Sequence, residues 1–330
     1  MPALNGWAIE TQGLTRRYGS LVAVDHLELA IPPGELFAFL GPNGAGKTTT
    51  IRLLTGLIRP DEGSAHVAGL DVCRQALAVK GRVGVVPERS NLYAELSARD
   101  NLIFMAQLYG LPRRRWRPRA DELLEQFGLA ERAGSPFATL SGGLKRRLTI
   151  AAALVHSPPI LFLDEPTTGL DVQSARSLRT LIRTLCQSGV TIFLTTHLIA
   201  EAEQLAGRVG IIVKGKLVAV DTPEGLRGRA QAETVLEVVI PSPPEGLLAA
   251  LRAAGSVTHL SRTGDTLRLV VLALEAALAD VAGVATRFGA RIAAVRSVTP
   301  SLEDAFVQLT HLDVETMQGR PGGARQGGGV

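Results

Sequence analysis

Cysteine is nearly absent. Cys73 and Cys186 are the only two in the chain, so a disulfide framework is excluded and a reducing, cytosolic setting is the natural reading. Long apolar runs are missing as well. The most apolar window, 269–285, is interrupted by Glu275 and Asp280, each costly at a bilayer centre. The opening Met-Pro-Ala-Leu-Asn-Gly-Trp lacks the basic-then-apolar pattern of a secretory signal, so any action at a membrane would need spanning helices from another chain. Charge of one sign does not dominate either. Thirty-five Lys and Arg are intermixed with 31 Asp and Glu, for a net +4, which gives no reason to expect nucleic acid as a partner. No internal repeat is evident. What is present is 46% hydrophobic and 20% charged residues, a globular rather than disordered composition. Its 330 residues exceed one compact domain and predict a large domain with a smaller one appended.

Residues 26–31 alternate with period two, as a half-buried strand does. Residues 35–40 form an apolar run ending in Gly41-Pro42-Asn43-Gly44, and residues 47–57 then place Ile51, Leu54 and Leu57 at helical spacing. Fully buried strands are predicted over 160–163 and 190–195, with a helix over 172–188 between them. Such alternation predicts an α/β fold whose sheet is mainly parallel and covered by helices. The middle, about 97–135, is polar and helix-like, with Arg113, Arg114, Arg115, Arg117 and Arg119 around Trp116. An anionic-lipid or nucleic-acid patch is one reading of that cluster. Pro112 and Pro118 favour the other, a solvated face, by breaking any long basic helix. After about Asp221 the predicted order becomes β-α-β-β-α-β, with strands over 234–240, 256–260, 266–272 and 291–298 and helices over 245–254 and 275–288. That is the split arrangement of ferredoxin-like domains. A last helix over 301–309 precedes a Gly-rich tail, 313–330, expected to be disordered.

Gly41-Pro42-Asn43-Gly44-Ala45-Gly46-Lys47-Thr48 matches G-x-x-x-x-G-K-[ST], after a strand and opening a helix. The glycines let backbone N–H groups close around phosphates, and the helix N-terminus favours negative charge. Lys47 is placed to reach the β- and γ-phosphates, and the Thr48 hydroxyl to ligate Mg²⁺. Leu161-Phe162-Leu163-Asp164-Glu165 adds two carboxylates at the end of a buried strand, where open α/β sheets bind ligands. Asp164 is expected to hold Mg²⁺ and Glu165 to orient and polarise the attacking water. Leu140-Ser141-Gly142-Gly143-Leu144 then opens a second helix, a second anion site in one chain. One phosphate chain cannot easily use both from one subunit, so each subunit's second site is expected to close on nucleotide held by another.

On these residues the chain resembles the ATP-binding subunits of ABC transporters, over about residues 5–220. The resemblance implies a P-loop nucleotide-binding domain with a mainly parallel sheet, an antiparallel β subdomain and a helical subdomain at about 90–155. A small α+β domain would follow at 221–312. Gly41 to Thr48, with Thr49, resembles the Walker A loop, Ile160 to Asp164 the Walker B strand, and Leu140 to Leu144 the signature. Thr168-Gly169-Leu170-Asp171 is similar to the D-loop, which in the family communicates between the two sites. His197 sits where the family's switch histidine contacts the γ-phosphate, and Tyr18 where an aromatic stacks on adenine. Implied cofactors are ATP and Mg²⁺. Implied partners are multi-span membrane permease subunits and either a second copy of the chain or a related ATPase subunit, at the cytoplasmic face of the cell membrane.

Two positions depart from the family pattern. Val86-Pro87-Glu88 carries Glu where a Gln is usual. A carboxylate there can approach Mg²⁺ but adds negative charge beside the nucleotide, so altered rather than absent hydrolysis is expected. Leu144 replaces the signature's terminal Gln and, followed by Lys145-Arg146-Arg147, resembles the variant of drug, antibiotic and ion exporter subunits. Pro300 to Phe306 is similar to the closing helix of many such subunits. A soluble ABC ATPase of DNA repair or translation is the alternative, but it would need a long heptad insertion or a second motif set, and neither is present. An importer motor is disfavoured by Leu144 and the C-terminal resemblance. The cargo is not encoded in these motifs.

Overall fold

The computed structural model describes residues 6–230, 234–271, 273–298, 301–310 and 312; the expected disordered tail lies outside them, as do Pro300 and Leu272. The chain divides into two compact units between Val220 and Asp221.

Among the described residues the first unit holds ten strands: β1 (Ile9–Tyr18), β2 (Leu21–Ile31), β3 (Leu36–Leu40), β4 (Glu62–Val67), β5 (Leu70–Asp71), β6 (Val83–Val86), β7 (Ile160–Asp164), β8 (Thr191–Thr196), β9 (Arg208–Val213) and β10 (Lys216–Asp221). They make two sheets. The smaller runs β2-β1-β4-β5 with antiparallel pairing, and the larger runs β10-β9-β3-β8-β7-β6. In the larger sheet β9, β3, β8, β7 and β6 pair in parallel. Every residue of β3, β7 and β8 is buried, because both faces of a parallel sheet are covered and no polar alternation survives. Between the sheets lies a core in which Phe37, Phe39, Phe162 and Phe193 meet at ring-centroid distances of 5.4 to 6.5 Å, within the range of favourable aromatic packing.

Three helices form the helical part: α3 (Ala98–Leu108), α4 (Arg113–Gln126) and α5 (Gly142–Ala153), after α1 (Lys47–Leu54) and α2 (Ala76–Lys80). Ser97 caps α3, accepting from Asp100 N–H, and buried Asn101 pins the preceding turn through the carbonyls of Tyr93, Leu96 and Ser97. Two expectations are corrected here. Helix α1 stops at Leu54 rather than Leu57, because Gly56 takes φ +65°, a conformation suited to a helix stop. Pro118 lies inside α4 instead of breaking it. Its missing N–H leaves only the carbonyl four residues back without a helical partner, and Arg114 there is exposed to water. Arg113, Arg114, Arg115 and Arg117 are exposed, whereas Arg119 is not part of a solvated face: it donates to the carbonyls of Leu154 and Val155 and to Ser157.

Helices α6 (Val172–Gln187) and α7 (Ile199–Leu205) complete this unit. The second begins with α8 (Pro223–Ala230) and runs β11 (Thr234–Val239), α9 (Leu247–Arg252), β12 (Val257–Thr263), β13 (Thr266–Val271), α10 (Leu274–Arg287), β14 (Ala294–Val298) and α11 (Leu302–Thr310). Its antiparallel sheet has the order β12-β13-β11-β14, which is that of a split βαβ fold. Leu236, Val238, Leu267 and Leu269 face α9 and α10 in its core.

Among the described residues, no helix is long and apolar enough to cross a membrane.

Candidate nucleotide site

Sheet register builds the site. Leu40, the last residue of β3, pairs with Thr196, and Asp164, the last of β7, pairs with Thr195. Because these strands are parallel, the segments that follow them emerge side by side at one edge. Gly41 N–H donates to the Thr196 carbonyl at 3.1 Å, which starts the phosphate-type loop against β8. The loop ends at Gly46, the N-cap of α1, with φ +109°. A Cβ there would lie 2.3 Å from the Ala23 carbonyl oxygen, so no side chain is compatible with this path. Beyond it the free N–H groups at the start of α1 face the cleft side.

Lys47 is buried and folded back on the loop: Nζ donates to the carbonyls of Gly41 (2.6 Å) and Pro42 (3.0 Å) and lies 3.1 Å from Glu165 Oε1. Thr48 Oγ1 donates to one Asp164 oxygen at 2.9 Å, and Thr195 Oγ1 to the other at 2.5 Å. Glu165 is itself buried, with its backbone at φ +48°, the left-handed region that a non-glycine residue occupies at a cost. Its N–H donates to the Thr195 carbonyl, and its Oε2 sits 2.7 Å from His197 Nδ1. Burial pushes the Glu165 carboxyl up. The His197 hydrogen bond and the Lys47 charge outweigh that and hold it below the ordinary carboxylate range.

A cleft of ~480 Å³ is lined by Tyr18, Asn43, Gly44, Lys47, Glu88 and Glu165, with Gly46, Thr48 and Thr49 also on its wall. The Tyr18 ring is 43% exposed at its mouth, with the Arg16 guanidinium 4.9 Å above it. Thus the P-loop residues, both carboxylates, His197, Tyr18 and Glu88 are brought to one place. Ser141, Gly142 and Gly143 are not. They open α5 outside the cleft lining, Ser141 and Gly142 exposed, with Gly143 against Ser174 of α6. Asp171 goes with them, capping α6 through Ser174 N–H.

Several residues at the site were not singled out by motif reading. Thr195 supports both Asp164 and Glu165. Glu201, 1% exposed, accepts from Thr167 at 2.8 Å behind the Glu165 segment, and burial raises its carboxyl. Arg146 of α5, 7% exposed, reaches the carbonyls of Asp164 (2.7 Å), Pro166 (2.8 Å), Glu88 (3.1 Å) and Pro87. Only the Thr195-Thr196-His197 run carried a hint, a polar end to an otherwise apolar strand.

Residues 24–168 match the family model described as "ABC transporter". The chain is 38% identical over 310 residues to the daunorubicin resistance ATP-binding protein DrrA2 of Streptomyces coeruleorubidus, covering 93% of this chain and 96% of that one. The chain belongs to the ABC transporter family. It is an ATP-binding, ATP-hydrolysing subunit of the exporter type. The linearmycin resistance ATP-binding protein LnrL of Bacillus subtilis is 34% identical, covering 92% of this chain and 98% of that one. The Nod factor export ATP-binding protein I of Paraburkholderia xenovorans is 38% identical, covering 93% and 98%. Among solved structures, the ATP-binding cassette MJ0796 bound to ADP and Pi aligns with TM-score 0.59 and 25% identity, over 65% of this chain and 98% of that one. The ABC ATPase thus shares its fold with a cassette solved with ADP and Pi bound.

Proposed function

We propose that this ABC ATPase is the motor of an exporter, in which two copies, or one copy and a related ATPase subunit, close on two MgATP and act on separate multi-span permease subunits at the cytoplasmic face of the membrane. The observation that carries this reading is the separation of Ser141, Gly142 and Gly143 from the cleft that gathers Lys47, Thr48, Asp164, Glu165 and His197. A cleft missing its second anion site is completed by a partner presenting that site.

Lys47 is held by two loop carbonyls and Glu165. Phosphates entering the cleft supply stronger acceptors, so Lys47 exchanges those contacts for the β- and γ-phosphates and leaves the Glu165 carboxylate free to orient water. His197, fixed by Glu165, is then positioned toward the γ-phosphate. Thr48 and Asp164 offer hard oxygen donors suited to Mg²⁺, with Glu88 on the cleft wall as a further carboxylate. Among the described residues there is no group of three or more His, Cys, Asp or Glu that could hold a metal ion. The ion would neutralise phosphate charge.

An apolar groove of ~700 Å³ elsewhere on the first unit supports the permease contact. It is lined by Leu57, Leu77, Met105, Leu108 and Tyr109, and Leu57, Leu77 and Leu108 are 58%, 84% and 65% exposed; a concentration of exposed apolar side chains marks a binding surface. The names of the relatives point to export of small organic molecules, and the cargo would be chosen by the permease. Glu165→Gln tests the assignment. ATP binding should be retained while turnover falls by about 10²- to 10⁴-fold, the contribution of a positioned general base. The variant should also accumulate as a dimer with ATP on size exclusion. Wild-type turnover in Glu165→Gln would make the catalytic assignment wrong.

A further inference from the structure

Arg146 is the middle residue of a basic run, Lys145-Arg146-Arg147, yet its guanidinium is not at the surface. It is buried, and its hydrogen bonds go to main-chain carbonyls on two other segments. Nη2 donates to Asp164 and Nε to Pro166, the residues immediately before and after Glu165. Nη1 donates to Pro87 and Glu88, the turn that follows β6. The planar, forked guanidinium suits this work; a lysine ammonium is a point charge that cannot span two acceptors in fixed directions. Glu165, between the two gripped carbonyls, is the residue with left-handed backbone at φ +48°. Such a conformation persists only where its surroundings over-determine it. Arg146 shares the grip on this segment with others, among them Thr195, which accepts the Glu165 N–H, and Glu201, bonded to Thr167.

We infer that Arg146 is a positioning residue for ATP hydrolysis: it sets the strained peptide of Glu165, and through α5 it ties that peptide to the Ser141–Gly143 turn. The inference rests on the assignment of Glu165 as the water-orienting carboxylate. Arg146 lies within the first two turns of α5, whose N-terminus is that turn. A displacement of α5 when a partner's nucleotide reaches Ser141–Gly143 is therefore delivered to the carbonyls flanking Glu165 of the same chain. Glu88 joins the same connection, since its carbonyl is held by the Nη1 atom that also holds Pro87. Each site then completes its own catalytic carboxylate only when its α5 is engaged by the other nucleotide.

The test is steady-state ATPase kinetics of the full chain with Arg146→Lys and Arg146→Ala, beside Glu165→Gln. Arg146→Lys keeps the charge and should lower kcat by about 10²-fold, the consequence of misplacing a reacting group by roughly 1 Å. KM and equilibrium ATP binding should stay within about twofold, the pattern of an interaction that matters only in the transition state. In Arg146→Ala, dilute guanidinium should restore part of kcat, while methylammonium should not. An Arg146→Lys enzyme turning over at the wild-type rate overturns the inference. So does a loss of ATP binding and melting temperature that parallels the loss of kcat and resists guanidinium, because a general packing role would produce that. If Glu165→Gln loses turnover while Arg146→Lys keeps it, the inference alone fails; if Glu165→Gln keeps turnover, the assignment of Glu165 fails and takes the inference with it.

Discussion

Gly46 is the tightest point of the phosphate loop, and the cost of a single methyl group there can be worked from the structure. A Cβ on Gly46 lies 2.3 Å from the Ala23 carbonyl oxygen, where contacts under 3.0 Å are essentially never seen, so Gly46→Ala must move the loop by about 0.7 Å at least. The neighbour is backbone of β2, held between the paired residues Val22 and Val24, and cannot give way as a flexible side chain would. The backbone at φ +109° adds its own penalty, roughly 1–3 kcal/mol for an L-residue in a sparsely populated region. Gly44→Ala is the matched control. It shares a positive φ, +79°, but its Cβ meets nothing within 4 Å, so only the conformational cost of about 1–2 kcal/mol remains. In nucleotide-free protein, thermal melts should therefore rank Gly46→Ala below Gly44→Ala, and both below wild type. A domain of this size loses about 2–4 °C per kcal/mol. Turnover in Gly46→Ala should fall about 10²-fold, because Lys47 and Thr48 are carried with the displaced loop. Equal melting temperatures for the two variants would refute the claim that the Ala23 contact sets the path of the loop.

Two further changes read out other parts of the chain. Burial raises the Glu201 carboxyl above its ordinary value, so the folded state binds the proton more tightly than the unfolded state and stability falls as pH rises from about 4.5 through the folded pKa. Glu201→Gln does not titrate and keeps an acceptor for Thr167. Its melting temperature should gain on wild type as pH rises above about 4.5, and a gap that is flat or shrinks with pH would contradict this account of a buried carboxyl. In the second unit Arg268 joins Glu237 at 2.7 Å and buried Asp304 at 2.6 Å. Among the described residues, Arg268→Met leaves Asp304 with only Ser301 as a partner and should cost about 1–3 kcal/mol. Urea unfolding of the full chain would show this as an earlier transition for that unit, and an unchanged midpoint would mean the ion pair is replaced by water at no cost.

What was legible in the chain follows from how far apart the cooperating residues lie. The P-loop was readable because strand, glycines, lysine and helix are contiguous, and Asp164-Glu165 because they end one apolar strand. The β-α-β-β-α-β order of the second unit came through because each element is short and bounded by turn residues, although strand ends shifted: the predicted 256–260 runs as Val257–Thr263. Helix α4 was misjudged at Pro118 because a proline rule weighs the lost bond without asking whether water can reach the freed carbonyl. Thr195 and Glu201 escaped notice because their partners, Asp164 and Thr167, are 31 and 34 residues away, and nothing in local pattern joins them.

Arg146 makes the same point in its sharpest form. Lys145, Arg146 and Arg147 form one basic run by composition, and a charge run is ordinarily a solvated face. Helical phase divides them: each successive residue turns about 100° around the axis, so neighbours cannot share an environment. Lys145 sits over the Phe137 ring at 5.6 Å, Arg147 bonds Ser177 and the Phe127 carbonyl, and Arg146 alone points to the end of β7. The same helix comes close to β6 at Gly84, where a Cβ would stand 2.4 Å from the Ala153 carbonyl oxygen. A glycine in an edge strand thus lets the helix approach closely, and helical phase aims Arg146 at the peptide of Glu165. Sequence displays the glycine and the arginine well apart, at positions 84 and 146. Only the packed structure makes them one device.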